Sequence, residues 1–220
     1  MANLKNIRSQ IKSVTSIQKV TKAMKMVAAA KLRKSQENME KARPYSKKIK
    51  ELISDLIQDV DRSLLPLLNK KKSRDKMGFV IVTSDRGLAG SFNTNIIKKA
   101  EMEINKVGKK NAILFCVGKK GYEHFYKRNY TVRVHYKDFW MHLNYNDAIK
   151  IGHDVVTSYT NNEIHSVNVI YNYFKNVGSQ KIIFEKLLPM DFESDGSISK
   201  TQDVIYEPSK TDIVKELVPK

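Results

Sequence analysis

The chain has 220 residues, 41% hydrophobic and 29% charged, which are the proportions of a folded protein with one substantial core, or one domain plus a long projecting element. Its net charge of +17 and pI near 9.7 imply an acidic counterpart, whether nucleic acid, an anionic lipid surface or a protein. The single Cys116 excludes a disulfide framework within the chain, and the start MANLKNIRSQ has neither the apolar centre of a signal peptide nor a spanning segment, so any membrane contact is expected to be peripheral.

From Asn3 to about Asp61 there is no glycine, and the only proline is Pro44. Leu4, Ile7, Ile11, Val14, Ile17, Val20, Met24 and Val27 recur every three or four residues, and Ile49, Ile53, Leu56 and Val60 resume the pattern. The spacing predicts one very long helix, or two nearly coaxial ones meeting near Pro44. Within it, Met24, Met26, Val27, Ala28, Ala29, Ala30 and Leu32 make a segment apolar almost all round, and its alanines let neighbouring backbones come close. Nine Lys or Arg residues precede Gln36 and the first acid is Glu37, so the charge has almost no partners on the same helix. The balancing acid belongs on a partner.

After the basic linker LLPLLNKKKSRDK the pattern changes. GFVIVTSD reads as a strand, RGLAGSFN as a glycine turn and TNIIKKAEMEINKV as a helix. The order then repeats: a strand at Asn111–Val117, a helix at Lys119–Lys127, a strand in TVRVHY and a helix at Asn146–Tyr159. HSVNVIYNYF and KIIFEKLLP supply two more strands, close enough across Asn176–Gln180 for an antiparallel hairpin. Strands alternating with helices predict a small α/β domain with a mainly parallel sheet.

Chemistry is sparse. Gly87 and Gly90 lie between a strand and a helix, beside Ser84, Asp85 and Arg86, where backbone N–H groups could cradle a phosphate. The loop nevertheless lacks both the G-x-G-x-x-G spacing and a G-K-[ST] ending, so a structural turn is the better reading. His124, His135, His142, His153 and His165 are scattered, with no metal-ligand spacing, and Cys116 sits in an apolar strand as an inert thiol. No catalytic, cofactor or metal site is predicted. Tyr122, Phe125, Tyr126, Tyr130, Tyr136, Phe139 and Trp140 interleave with basic residues as a nucleic-acid platform would, although most also fit the sheet or its covering helices.

At several separated points the sequence resembles the gamma subunit family of the rotary ATP synthase: IRSQIKSVTSIQKVTKAMKMVAAAKLRKSQ near the amino terminus, RPY at Arg43–Tyr45, TSDRGLAGSFN at Thr83–Asn93 and IYEPS at Ile205–Ser209. The resemblance implies a noncatalytic central-stalk rotor that couples proton flow to ATP synthesis or hydrolysis elsewhere. Its fold would be a long amino-terminal coiled-coil helix (residues 1–61), a linker (62–76), a small Rossmann-like α/β domain with a mainly parallel sheet (77–208), and the start of a carboxy-terminal helix (209–220). Implied partners are the alpha and beta subunits, the epsilon subunit and the membrane ring of c subunits, with no cofactor and no specific nucleic acid. The location would be peripheral, on the cytoplasmic side of a bacterial inner membrane or, second, the matrix side of the mitochondrial one. Lys19, Lys22, Met24, Lys25, Arg33 and Lys34 are the expected coupling surface, the cations steering and Met24 packing. The family continues past IYEPS into a long helix that TDIVKELVPK only begins, so this sequence is either a fragment or has that helix supplied another way.

Overall fold

The computed structural model describes residues 3–57, 60–61, 65–71, 76–138, 140, 144–191, 207 and 209–217. Phe139, His142, linker residues 62–64 and 72–75, and most of IYEPS lie outside them. Packing divides the chain into two compact units, Met1–Leu52 and Ile53–Lys220.

Helix α1, Leu4–Ile57, is 54 residues long and passes through Pro44 without a break. One helix forms, not two. A proline removes one N–H and crowds the carbonyl four residues back, but that residue, Glu40, is exposed and water can take the freed acceptor. The helix stops short of the expected Asp61, since Val60 and Asp61 are no longer helical. In the first unit the apolar stripe is bare: Leu4, Ile7, Ile11 and Val14 are 43% to 70% exposed. Ile53, Leu56 and Ile57, on the last turns of α1, are buried and belong to the second unit.

The second unit is built on a five-stranded sheet in the order β3-β2-β1-β4-β5. Strands β1 (Met77–Val82), β2 (Ala112–Val117), β3 (Val132–Tyr136) and the start of β4 (Ser166–Asn176) run parallel, while β5 (Ser179–Leu188) returns antiparallel along β4. Pairing of Asn176 with Ser179 leaves a two-residue turn, Val177 and Gly178. All six residues of β2 are buried, as a central parallel strand covered on both faces requires.

Side chains alternate across the sheet. Phe79, Ile81, Leu114, Cys116 and Ile170 point to the face covered by α2 (Phe92–Val107) and α3 (Lys119–Tyr126), meeting Ile96, Ala100, Ile104 and Phe125. Those α2 residues fall at helical spacing on one side, which is why the segment is a helix there. Val80, Ile113, Phe115 and Val167 have the opposite parity and are buried on the other face, where α4 (Tyr145–Thr160) adds Val155 and Tyr159. Asn144 caps α4 by accepting from Asp147 N–H at 3.0 Å. The last described helix, α5 (Lys210–Leu217), begins with Ser209 accepting from Asp212 N–H at 3.2 Å, while its hydroxyl donates to the Asp212 carboxylate at 2.7 Å.

Candidate functional site

The predicted coupling residues all lie on α1 in the first unit, and all are exposed. At about 100° per residue, Lys19, Lys22, Lys25 and Arg33 share a band roughly 120° wide, whereas Met24 falls about 160° from the centre of that band and Lys34 about 60° beyond its edge. Four of the six therefore stand together. Met24, 60% exposed, looks the other way. Four cations are thus concentrated in one band, although Met26 falls within it and Lys31 lies about 20° from Met24. Arg33 spends part of its charge on Glu37 at 3.1 Å, an exposed i,i+4 pair that contributes little to stability.

The glycine loop after β1 is organised around the chain itself. The first three N–H groups of α3, which would hold a phosphate in a nucleotide-binding domain, are already taken: Lys119 donates to the Asp85 carboxylate at 2.8 Å, Lys120 to Ser84 C=O at 3.1 Å, and Gly121 to the Thr83 hydroxyl at 2.9 Å. Asn93 ties the other side, receiving Ser84 N–H at 2.9 Å and donating to Ser84 Oγ at 2.8 Å. Trp140 donates from its indole to Thr83 C=O at 3.0 Å. Gly118, at φ +101°, passes so close to Thr83 that no other residue fits. At the tip, Leu88 has φ +58° and its side chain stands fully in solvent.

Asp85 serves as an internal cap, in keeping with a structural turn and not with the alternative of a phosphate cradle. Thr83, Gly118, Gly121 and Trp140 complete the knot, and sequence reading missed them. Only the glycine directly after a wholly apolar strand gave a hint of Gly118. The prediction that follows is negative: calorimetry of the purified chain with ATP or ADP should show no stoichiometric binding in the micromolar range. Such binding would mean that the caps on α3 yield to a phosphate.

The remaining candidates serve the fold. Cys116 is fully buried, and burial pushes its thiol up to about 12. No group of three or more His, Cys, Asp or Glu among the described residues is placed to hold a metal ion. Phe125 is in the core with Tyr130 edge-on at 5.1 Å, Tyr122 stacks on His135 at 4.0 Å, and the Tyr136 hydroxyl donates to Asp154. Tyr122, Phe125, Tyr130 and Tyr136 are therefore packing for the second unit, while Tyr126 and Trp140 are 62% and 41% exposed.

Residues 3–220 match the family model described as ATP synthase. The ATP synthase gamma chain of Prosthecochloris aestuarii is 44% identical over 227 residues, covering 100% of this chain and 77% of that protein. That of Geobacter sp. (strain M21) is 42% identical over 222 residues with the same coverage. Among solved structures, a chain of the central stalk and c-ring of Tetrahymena thermophila mitochondrial ATP synthase aligns with a TM-score of 0.64 at 23% identity, covering 91% of this chain and 88% of that one. The structural likeness speaks for the fold.

Proposed function

This chain belongs to the ATP synthase gamma chain family, and we propose that it performs its central-stalk role by turning the two unlike sides of α1 past a surrounding ring of alpha and beta subunits. It is a noncatalytic subunit, and the nucleotide chemistry belongs to its partners. The observation that carries the reading is the asymmetry of α1. A helix that concentrates Lys19, Lys22, Lys25 and Arg33 in one band and sets Met24 and the single Lys31 opposite offers different surfaces to equivalent neighbours at any one angle. A rotor can bias its partners only through such differences, because a contact that is equal in every state shifts nothing. The cations would steer acidic loops of the hexamer, and the small and apolar residues Ala28, Ala29 and Ala30 would permit close sliding. The second unit would rest on the epsilon subunit and the ring of c subunits, at the cytoplasmic face of a bacterial inner membrane. Bacterial relatives support that placement, and no described helix is long and apolar enough to cross a membrane.

The test is reconstitution. The chain, extended with the carboxy-terminal segment of a relative, is mixed with cognate alpha and beta subunits, and co-migration and ATPase activity are measured. Replacing Lys19, Lys22, Lys25 and Arg33 together by Ala should leave assembly intact and lower the gamma-dependent ATPase rate at least about fivefold, the lower end of ordinary coupling energies. Failure of the extended chain to enter the complex would sink the proposal.

A further inference from the structure

We propose that residues 65–71 act as a torque strap, and that Tyr159 and Lys71 are the positioning residues that hold it, keeping the last turns of α1 from twisting against the sheet of the second unit. The inference rests on the central-stalk reading and names the part of this chain that resists torque where α1 ends.

A rotor shaft transmits torque only if its root cannot turn in its seat. Ile53, Leu56 and Ile57 at the end of α1 are buried within the second unit, but apolar contact has no direction and resists sliding poorly. The packing there is also incomplete, since Ile57, Leu68, Pro189 and Met190 share the wall of a cavity of about 130 Å³. Hydrogen bonds do have direction, and the segment after α1 collects them.

The ties fall on alternate residues. The Leu67 carbonyl accepts from Met190 N–H at 3.0 Å, just past the end of β5, and the Asn69 carbonyl accepts from the Tyr159 hydroxyl at 2.6 Å. Lys71 donates to the side-chain oxygen of Asn162 and reaches Thr160 C=O at 3.5 Å, with its ammonium 4.9 Å from the centre of the Tyr159 ring. Leu65 and Leu67 are buried alongside.

Tyr159 is the peg of this arrangement. It has no exposed surface, so close packing fixes the ring that carries the hydroxyl. Lys71 closes the carboxyl end of α4, where free carbonyls favour a cation and Asn162, at φ +59°, ends the helix in the left-handed conformation. In the sequence Lys71 is one more cation of a basic linker, and its partners lie about ninety residues away.

The experiment uses the complete ATP synthase in sealed vesicles, with this chain, extended by the carboxy-terminal segment of a relative, as its gamma subunit. Y159F/K71M removes the hydroxyl and the ammonium and keeps the ring and the aliphatic stem. With the proton gradient collapsed by an uncoupler, the variant should hydrolyse ATP at the parent's rate. Losing the ties shifts the balance between seated and slipped root by about tenfold or more, so against a steep gradient it should pump at most about half as many protons per ATP as the parent. K71M alone should show a smaller loss of the same gradient-dependent kind, while Lys71→Arg, which keeps the cation, should pump as the parent does. Trp140 fluorescence during urea unfolding reports that the second unit of each variant stays folded. Parent-like pumping by both K71M and Y159F/K71M would overturn the strap, and so would a loss of activity that is the same with and without the gradient, the mark of a merely destabilised subunit. Failure of the extended parent chain to enter the complex is the separate result that removes the central-stalk reading, and the strap with it.

Discussion

Gly118→Ala is expected to destabilise the second unit by about 4 kcal/mol or more, among the largest effects one methyl group can have. A Cβ built there lies 2.1 Å from Thr83 O and 2.7 Å from Thr83 C, both backbone atoms, and 2.8 Å from the Thr83 hydroxyl. Thr83 cannot step aside cheaply. Its N–H donates to Val117 C=O at 2.7 Å, its hydroxyl receives Gly121 N–H, and its carbonyl receives the Trp140 indole. The backbone at φ +101° adds strain for any residue with a side chain. Gly152→Ala is the control, since nothing lies within 4 Å of its would-be Cβ inside α4, and the change should stabilise by about 0.5–1 kcal/mol. Urea unfolding followed by fluorescence of the single tryptophan, Trp140, compares the three proteins. A Gly118→Ala midpoint close to the parent's would show that the contact between β1 and the start of α3 is slack.

The second large effect concerns α1. Joining the chain to the segment by which its relatives exceed it should slow amide exchange across Ile7–Leu32 by about a hundredfold or more. Without that segment the stripe is exposed, and the first 33 residues of the helix hold few ion pairs of their own because acids are missing. A long helix draws most of its stability from packing, and fully burying a Leu, Ile or Val is worth about 1.5–3 kcal/mol. Covering the remaining half of only four such residues therefore exceeds the roughly 2.8 kcal/mol that a hundredfold change needs. Exchange in the second unit, which has its own core, should be unchanged. Strong protection of Ile7–Leu32 in the unjoined monomer would show that this chain already has a way to bury the stripe.

Sequence order made most of the architecture visible, for physical reasons that differ between elements. The run AILFCV could only be a strand covered on both faces, and the Ile96, Ile97, Ala100, Ile104 series only a helix with one buried side. The hairpin followed from two strand patterns separated by a short polar stretch. Pro44 was ambiguous because the cost of a proline in a helix depends on whether the freed carbonyl reaches water, and exposure is not written in local sequence. The site was less legible. Thr83 meets Val117 and Gly121 across 34 and 38 residues and Trp140 across 57, so no window of neighbouring residues contains the knot. The DRGLAG turn was legible as structural from the missing phosphate-binding spacing, but its partners were not: long-range pairing occupies the first N–H groups of α3 from within. On α1 the basic residues were evident, but their separation from Met24 emerges only when each position is turned around a continuous helix.

The burial of Cys116 has a use for whoever wishes to watch this molecule move. A thiol with no exposed surface, raised to about 12, offers essentially no thiolate to a maleimide or a disulfide reagent near neutral pH. The native cysteine can stay in place, sparing the core the disturbance of its removal. A cysteine introduced at an exposed position off the apolar stripe, such as Ser13, would then be the only nucleophile of its kind open to a fluorophore or spin label, and the wild-type sequence itself becomes the unlabelled background.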